Sequence, residues 1–300
     1  MLTIGVLNSM PESAVRSTER QFVEILTEAA LGIPLDLKWF SLTPRAGYGT
    51  VDDLWLIRHV DGMIATGTEP RAGRLQDEPY WPAFARTVDW ATQHTTSTIW
   101  SCLGAHAAVL HLDDVRRRSY AAKLHGVFAV NKQREHVLVA NIEDVWPVPH
   151  SRWNTLSAAT LRAKGYQILS ESEEVSADVF AKTFGNSLFI FLQGHPEYDA
   201  RALMREYRRD VLRYISGDRN DYPAMPAHYF DILTQRRLTE FSDRVLADRA
   251  YDQGMVEFQV VVGKANLDAT WKPTAVQLYR NWFGILAAQR QTQDESAAIS

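Results

Sequence analysis

The sequence predicts an α/β fold, a mainly parallel sheet with helices on both faces, followed by a helical C-terminal extension. Three observations predict it. Short apolar runs at 2–7, 62–66 and 96–101 are separated by segments of helical periodicity, the pattern of right-handed βαβ units. Loop-forming residues close these runs at their carboxyl ends, as in Asn8-Ser9-Met10-Pro11 and Gly67-Thr68-Glu69-Pro70. Finally, Ser101 gives way to Cys102, Gly104 and an Ala-rich helix start, a strand-to-helix turn at the sheet edge where such folds collect their chemistry.

Taken in order, 2–7 reads as the first buried strand. A helix follows over 18–30, with Phe22, Ile25, Leu26 and Ala29 at helical spacing and Ser17 or Thr18 as its cap. Strands are expected at 35–42 and 62–66, then a helix over 80–94 with Trp81, Phe84, Val88 and Ala91 on one face. Past the cysteine turn, 123–130 and 135–140 read as strands, and 147–153 as a proline-rich polar loop. Further strands are expected at 166–170, 177–183 and 188–192, the last a strongly apolar LFIFL. Leu203, Tyr207, Val211 and Tyr214 form one stripe of a helix over 199–215. A linker-like stretch covers 217–226, helices are expected at 242–251 and 273–287, and the polar tail after Gln289 is expected to fray.

Composition excludes several classes. With 300 residues, 46% apolar and 23% charged, the chain suits one large or two small globular domains. A net charge of −4 and a pI near 6.1 carry no electrostatic footprint for nucleic acid. The basic run at 116–118 is the size of a solvated helix end or loop. One cysteine makes no internal disulfide and suits a reducing compartment. The N-terminus lacks the basic flank and long apolar core of a signal peptide, and no apolar run reaches the roughly 18 residues needed to span a bilayer. A cytoplasmic protein with no membrane partner is expected.

Two readings of Cys102 stand side by side. A lone cysteine after an apolar strand is commonly a small packed hydrophobe. On a sharp strand-to-helix turn, however, it is exposed at the helix start, where free N–H groups and the helix dipole favour a thiolate. A thiol nucleophile needs a base, and the base needs a group that fixes its tautomer. His195 and Glu197 stand two apart across Pro196 at the end of the last strand, so both side chains can lie on one side. Alone, Gly-His-Pro-Glu reads as a turn. Paired with a cysteine elbow on the same sheet edge, it completes a Cys102–His195–Glu197 triad.

The stretches IWSCLGAHAAVL and QGHPEYDA resemble the class I glutamine amidotransferase-like, flavodoxin-like fold with its Cys-His-Glu triad. NSMP at Asn8, TERQF at Thr18, VDGMIATG at Val60, PYW at Pro79, KLHGV at Lys123, VPHSRW at Val148, the REYRRDV that follows GHPEYDA, and NWF at Asn281 narrow it. Together they are similar to the homoserine O-succinyltransferase/O-acetyltransferase family of methionine biosynthesis. The resemblance implies a core over 1–215 and an extension over 216–300 packing on it. It also implies that Cys102 carries an acyl group as a thioester, with His195 as base and Glu197 holding it. By the same resemblance Lys123, Ser151 and Arg209 line the substrate site, Arg209 offering its fork to an amino-acid carboxylate. The N–H groups of Leu103 and Thr68 are the expected oxyanion donors. No bound cofactor or metal is implied; acyl-CoA is the co-substrate, homoserine the acceptor, and a homodimer the expected assembly.

The chain departs from the family's pattern in places. Leu103 and His106 stand where Trp and Gln are usual, Glu12-Ser13 replaces lysines, and about thirty residues between Ile232 and Leu267 look inserted. Thr68-Glu69-Pro70-Arg71 follows Gly67 in place of Ala-Pro, which puts Arg71 where the acyl donor is tuned. A guanidinium there pairs with a carboxylate and favours succinyl over acetyl, unless Arg71 points to solvent. A glutaminase with the same triad, an acyltransferase for another hydroxy amino acid such as serine, and a non-catalytic amino-acid-binding relative are the alternatives. PHSR, PYW and YDA, which a glutaminase has no reason to carry, weigh toward the transferase.

Overall fold

A computed structural model describes residues 1–57, 59–68, 70, 72–248 and 254–299. The strands are β1 (Leu2–Leu7), β2 (Leu35–Ser41), β3 (Gly49–Thr50), β4 (Val60–Ala65), β5 (Thr95–Ser101), β6 (Arg118–Lys132), β7 (Val145–Thr155), β8 (Gln167–Ile168), β9 (Ser170–Ser172), β10 (Ser176–Ala177), β11 (Val179–Phe184) and β12 (Ser187–Leu192). The helices are α1 (Glu12–Ala30), α2 (Val51–Leu56), α3 (Trp81–His94), α4 (Leu103–Asp113), α5 (Ala158–Ala163), α6 (Ala202–Ile215), α7 (Ile232–Ala247), α8 (Gly254–Gly263) and α9 (Lys272–Ile299).

Among the described residues, eight strands form one sheet in the order β3-β2-β1-β4-β5-β12-β11-β8. From β3 through β12 every pairing is parallel; β11 pairs antiparallel with both β12 and β8, so it alone runs against the other strands. Parallel strands are buried on both faces, and the period of two sorts their side chains accordingly. Ile4, Val6, Ile64, Ile99 and Ile190 face one cluster with Phe22, Ile25 and Leu26 of α1 and Trp282, Phe283 and Leu286 of α9. Met63, Ala65, Trp100, Phe189 and Phe191 face the other, with Phe84 and Val88 of α3 and Ala105, Ala108 and Val109 of α4. Each large side chain so buried contributes about 1.5–3 kcal/mol. The expected mainly parallel sheet with helices on both faces is thus present.

The C-terminal helix takes part in the central core. Trp282 donates Nε1–H to Ser97 Oγ at 3.0 Å under β5. Gly62 makes room for it: a Cβ there would stand 2.6 Å from Trp282 Cζ2 and 2.7 Å from Leu286 Cδ1. A third cluster joins Tyr207 of α6, Phe241 of α7, Phe258 of α8 and Trp271.

Several expectations need correction. Residues 147–153 are not a loop but the middle of β7, paired antiparallel with β6. β7 is an edge of the smaller sheet, β10-β9-β6-β7, where Pro147 and Pro149 can do without ladder N–H groups. Residues 135–140 are not a strand; Val137–Val139 is a short 3-10 turn, with Leu138 N–H donating to His136 Nδ1 at 3.1 Å. Asn281 of α9 ties the turn down by donating to the carbonyls of Leu138 (2.9 Å) and Ala140 (2.8 Å). α1 begins at Glu12 rather than Thr18, and α7 covers Ile232–Ala247 rather than 242–251, of which 249–251 lie outside the described residues. The tail past Gln289 continues α9 instead of fraying. The helices at 51–56 and 158–163 were not expected; their six residues are too short to show a period.

Candidate active site

The loops after β1, β4, β5 and β12 converge at the carboxyl ends of four adjacent parallel strands, the place where α/β sheets bind ligands. There Cys102, His195 and Glu197 line a cavity of about 330 Å³ together with Thr68, Leu103, Lys123, Ser151 and Arg209.

Cys102 stands at φ 50°, ψ −111°, a conformation that costs a non-glycine residue free energy and holds its side chain at the head of α4. Its N–H donates to Leu192 O at 2.7 Å, joining the turn to the end of β12, the strand that delivers His195. Gly104 lets α4 start against β4: a Cβ there would stand 3.0 Å from Ala65 O. Gly67 does the same from the other side, its missing Cβ falling 3.1 Å from Leu103 N. The first-turn N–H of Leu103 has no carbonyl within the helix to bond. Thr68 and Leu103, the residues of both expected oxyanion donors, line the same cavity as Cys102. Arg117 and Arg152 both interact electrostatically with Cys102.

His195 reaches the sulfur because its backbone is pinned to the edge strand. Its N–H donates to Pro149 O of β7 at 2.9 Å. Gly194, just before, is squeezed so that a Cβ would overlap Val148 Cγ1 and lie 2.9 Å from Asp178 Oδ1. The ring stacks on Tyr198, centroids 4.2 Å apart. His195 Nδ1 is 2.9 Å from Glu197 Oε1, and the ring interacts electrostatically with the Cys102 side chain. Burial works against charging the ring, but Cys102 and Glu197 on either side outweigh it and hold the imidazole well above its ordinary pKa. Glu197 Oε2 is buried without a hydrogen-bond partner among the described residues.

The remaining expected residues form a charged cluster across the cavity. Lys123 Nζ donates to Glu206 Oε2 at 3.3 Å and to Asp210 Oδ2 at 3.1 Å. Ser151 Oγ–H donates to Glu206 Oε2, and His125 Nδ1 lies 3.1 Å from Ser151 Oγ. Arg209 Nε donates to Asp210 Oδ1 at 3.2 Å, and Tyr198 O–H donates to Glu206 Oε1 at 2.6 Å. Burial alone would raise the Glu206 pKa; Lys123, His125 and the two hydroxyl donors bring it down to about 2. Burial and the neighbouring Lys123 push His125 down to about 4, so it is neutral at pH 7.

Glu206, Asp210 and Tyr198 were missed by sequence reasoning. The signal available was weak: Glu206 and Arg209 are three apart on α6, one face of a helix rich in charge. Arg71 and Glu69 lie outside the described residues. No group of three or more His, Cys, Asp or Glu side chains suited to a metal ion occurs among the described residues. No described helix is long and apolar enough to cross a membrane.

With this geometry in place, known proteins offer a comparison. A family model described as homoserine O-succinyltransferase matches residues 1–293. A homoserine O-succinyltransferase of Bradyrhizobium japonicum is 44% identical over 299 residues, covering 95% of this chain and 90% of that protein. One of Rhodopseudomonas palustris is 40% identical over 300 residues, covering 96% of this chain and 89% of that one. Among solved structures, a glutamine amidotransferase from Thermotoga maritima superposes with a TM-score of 0.51 at 10% identity, covering 95% of this chain and 98% of that one. A glutamine amidotransferase from Methylobacillus flagellatus gives 0.52 at 14% identity, covering 95% of this chain and 94% of that one. At such low identities the structural likeness speaks for the fold alone, and it agrees with the fold expected from the elbow and the Gly-His-Pro-Glu stretch.

Proposed function

Because the chain belongs to the homoserine O-succinyltransferase family, we propose that it moves a succinyl group from succinyl-CoA to the hydroxyl of L-homoserine through a thioester on Cys102. The observation that carries this reading is His195 held between the Cys102 thiol and the Glu197 carboxylate, facing a cluster that combines cations, a carboxylate and a hydroxyl. An amino acid needs that combination. Glu206 is ionised and suits the ammonium group, while Lys123 and Arg209 suit the carboxylate. Ser151 lines the same cavity as Cys102, which supports a role for its hydroxyl near the acceptor hydroxyl.

The chemistry proceeds in two halves. The Cys102 sulfur attacks the thioester carbonyl, the oxyanion takes the N–H groups of Leu103 and Thr68, and the carbon–sulfur bond to CoA breaks. CoA leaves as the thiol with a proton from His195. The homoserine hydroxyl then gives its proton to His195 and attacks the acyl-enzyme, and the bond to Cys102 breaks. Glu197 steadies the imidazolium in both halves. Acyl-CoA is thus a co-substrate, and the chemistry calls for no bound cofactor.

The preference for succinyl rests on the family and on Arg71, whose guanidinium suits the distal carboxylate. A single cysteine and a methionine-pathway activity support a cytoplasmic setting; the homodimer implied by the resemblance is checked by sedimentation. The deciding experiment is incubation with succinyl-CoA alone, followed by intact-mass analysis. One succinyl mass on Cys102, absent from Cys102→Ala and discharged by homoserine, is expected. An active enzyme whose Cys102 stays unmodified would sink the mechanism. A donor panel repeated on Arg71→Ala tests the acyl choice: a succinyl preference untouched by the substitution removes Arg71 from it. Ammonia released from glutamine would instead favour the glutaminase reading.

A further inference from the structure

A second cavity, about 590 Å³, opens beside the catalytic one, within the range of small-molecule sites. His106, Arg117 and Asn154 line both cavities, so these side chains form the wall the two share. The second is lined further by Arg74 and Arg116, and no Asp or Glu is among its lining residues. Three guanidinium groups around a space that no carboxylate lines suit phosphate rather than an apolar group.

The arginines are available for such a ligand. Arg117 is half-buried and makes no hydrogen bond or ion pair among the described residues, with Glu78 and Tyr80 only in electrostatic reach. Arg74 meets Asp77 at 3.9 Å and Arg116 meets Asp114 at 3.3 Å, and all four side chains are more than half exposed. Pairs this exposed contribute little and yield to a multiply charged partner. The junction carries a second sign of a ligand. His106 is 3% exposed, its Nε2 is 2.8 Å from Gln193 Oε1, and its Nδ1 is buried with no partner. With Nε2 donating to Gln193, Nδ1 is a buried, unused acceptor on a residue that lines both cavities, and the pantetheine arm of coenzyme A carries amide N–H donors.

We propose that the second cavity receives the phosphate-bearing end of the acyl-CoA donor. Arg74 and Arg116 bind its phosphates, Arg117 guards the junction, and the pantetheine arm crosses past His106 and Asn154 to bring the thioester to Cys102. The proposal rests on acyl-CoA being the donor, and it adds where the non-reacting half of that donor is held.

The test compares succinyl-CoA with succinyl-N-acetylcysteamine, a thioester that ends before any phosphate, on the wild type and on Arg74→Ala/Arg116→Ala. The expected result is a KM for succinyl-CoA raised about tenfold or more in the double variant, with a far smaller loss for the truncated thioester. Adenosine 3′,5′-bisphosphate should compete with succinyl-CoA in the wild type and much more weakly in the variant. The single variants, both at exposed side chains, should give the same effect in smaller steps. An equal loss with both donors, no loss with either, or undiminished competition by the bisphosphate would overturn the proposal. If the wild type takes no acyl group from succinyl-CoA, the donor reading has failed separately. Direct titration with the bisphosphate then decides the cavity: binding weakened by the double variant supports it, and equal or absent binding overturns it.

Discussion

Glu197→Gln isolates what the carboxylate does for His195, because the amide keeps the shape and removes the charge. In one orientation the Gln oxygen keeps the 2.9 Å contact with Nδ1. Its NH₂ then takes the place of Oε2, which has no partner among the described residues, leaving buried donors unmet at a cost of about 1–3 kcal/mol. In the other orientation the NH₂ faces Nδ1 and forces the ring proton onto the nitrogen that must accept from the thiol and from homoserine. Either way the imidazolium loses a neighbouring negative charge, an interaction of about 4 kcal/mol at 4 Å and an effective dielectric near 20. Thiol and imidazole still line the same cavity, so part of the activity survives. The expected loss is about 10²–10⁴-fold in kcat/KM, read as thiol release from succinyl-CoA at saturating homoserine, with a small drop in thermal stability. Turnover within about threefold of wild type would refute the reasoning and leave Glu197 a structural residue.

Three further outcomes are expected. Arg209→Ala should raise the KM for the amino acid about tenfold, the modest figure reflecting its half-exposed side chain and its pairing with Asp210. Formation of the acyl-enzyme should persist, and a variant that fails to acylate would contradict that division of labour. Gly194→Ala puts a methyl onto Val148 and 3.0 Å from His150 Cε1. The resulting shift of the His195 turn should cost about 1–3 kcal/mol of stability and about 10²-fold in rate, checked by urea denaturation and turnover. His106→Gln tests a buried neutral imidazole that burial pushes down to about 3. Between the ordinary value near 6.5 and about 3, the unfolded chain holds a proton that the native state lacks, so native stability falls as pH falls. Asp178, raised to about 6 by burial, works in the opposite sense between about 3.8 and 6, and remains in both proteins. The variant's urea midpoint should therefore fall less steeply from pH 7 to about pH 4.5. Parallel slopes would mean that His106 already protonates in the folded protein.

What the sequence by itself determined is what a few neighbouring residues encode. Short apolar runs at 2–7, 62–66, 96–101 and 188–192 marked four of the parallel strands, because a strand buried on both faces needs only its own side chains to announce it. Cys102 close to Gly104, and His195 two before Glu197, marked the candidate pair of active-site loops for the same reason: the turn and its reactive side chains are written in neighbouring positions. Only the tertiary structure decided that 147–153 is a strand, since its prolines are acceptable on a sheet edge and nothing local reveals an edge. The carbonyl of Pro149 on that edge then fixes the His195 backbone, a contact between segments far apart in the chain. Glu206 meets Lys123 from 83 positions away, and Trp282 reaches Ser97 across 185, so neither the charged cluster nor the glycine that seats the last helix could be read in advance. The basic cavity is of the same kind: Arg74, His106, Arg117 and Asn154 come from separate elements, and their common wall exists only once the two sheets have packed.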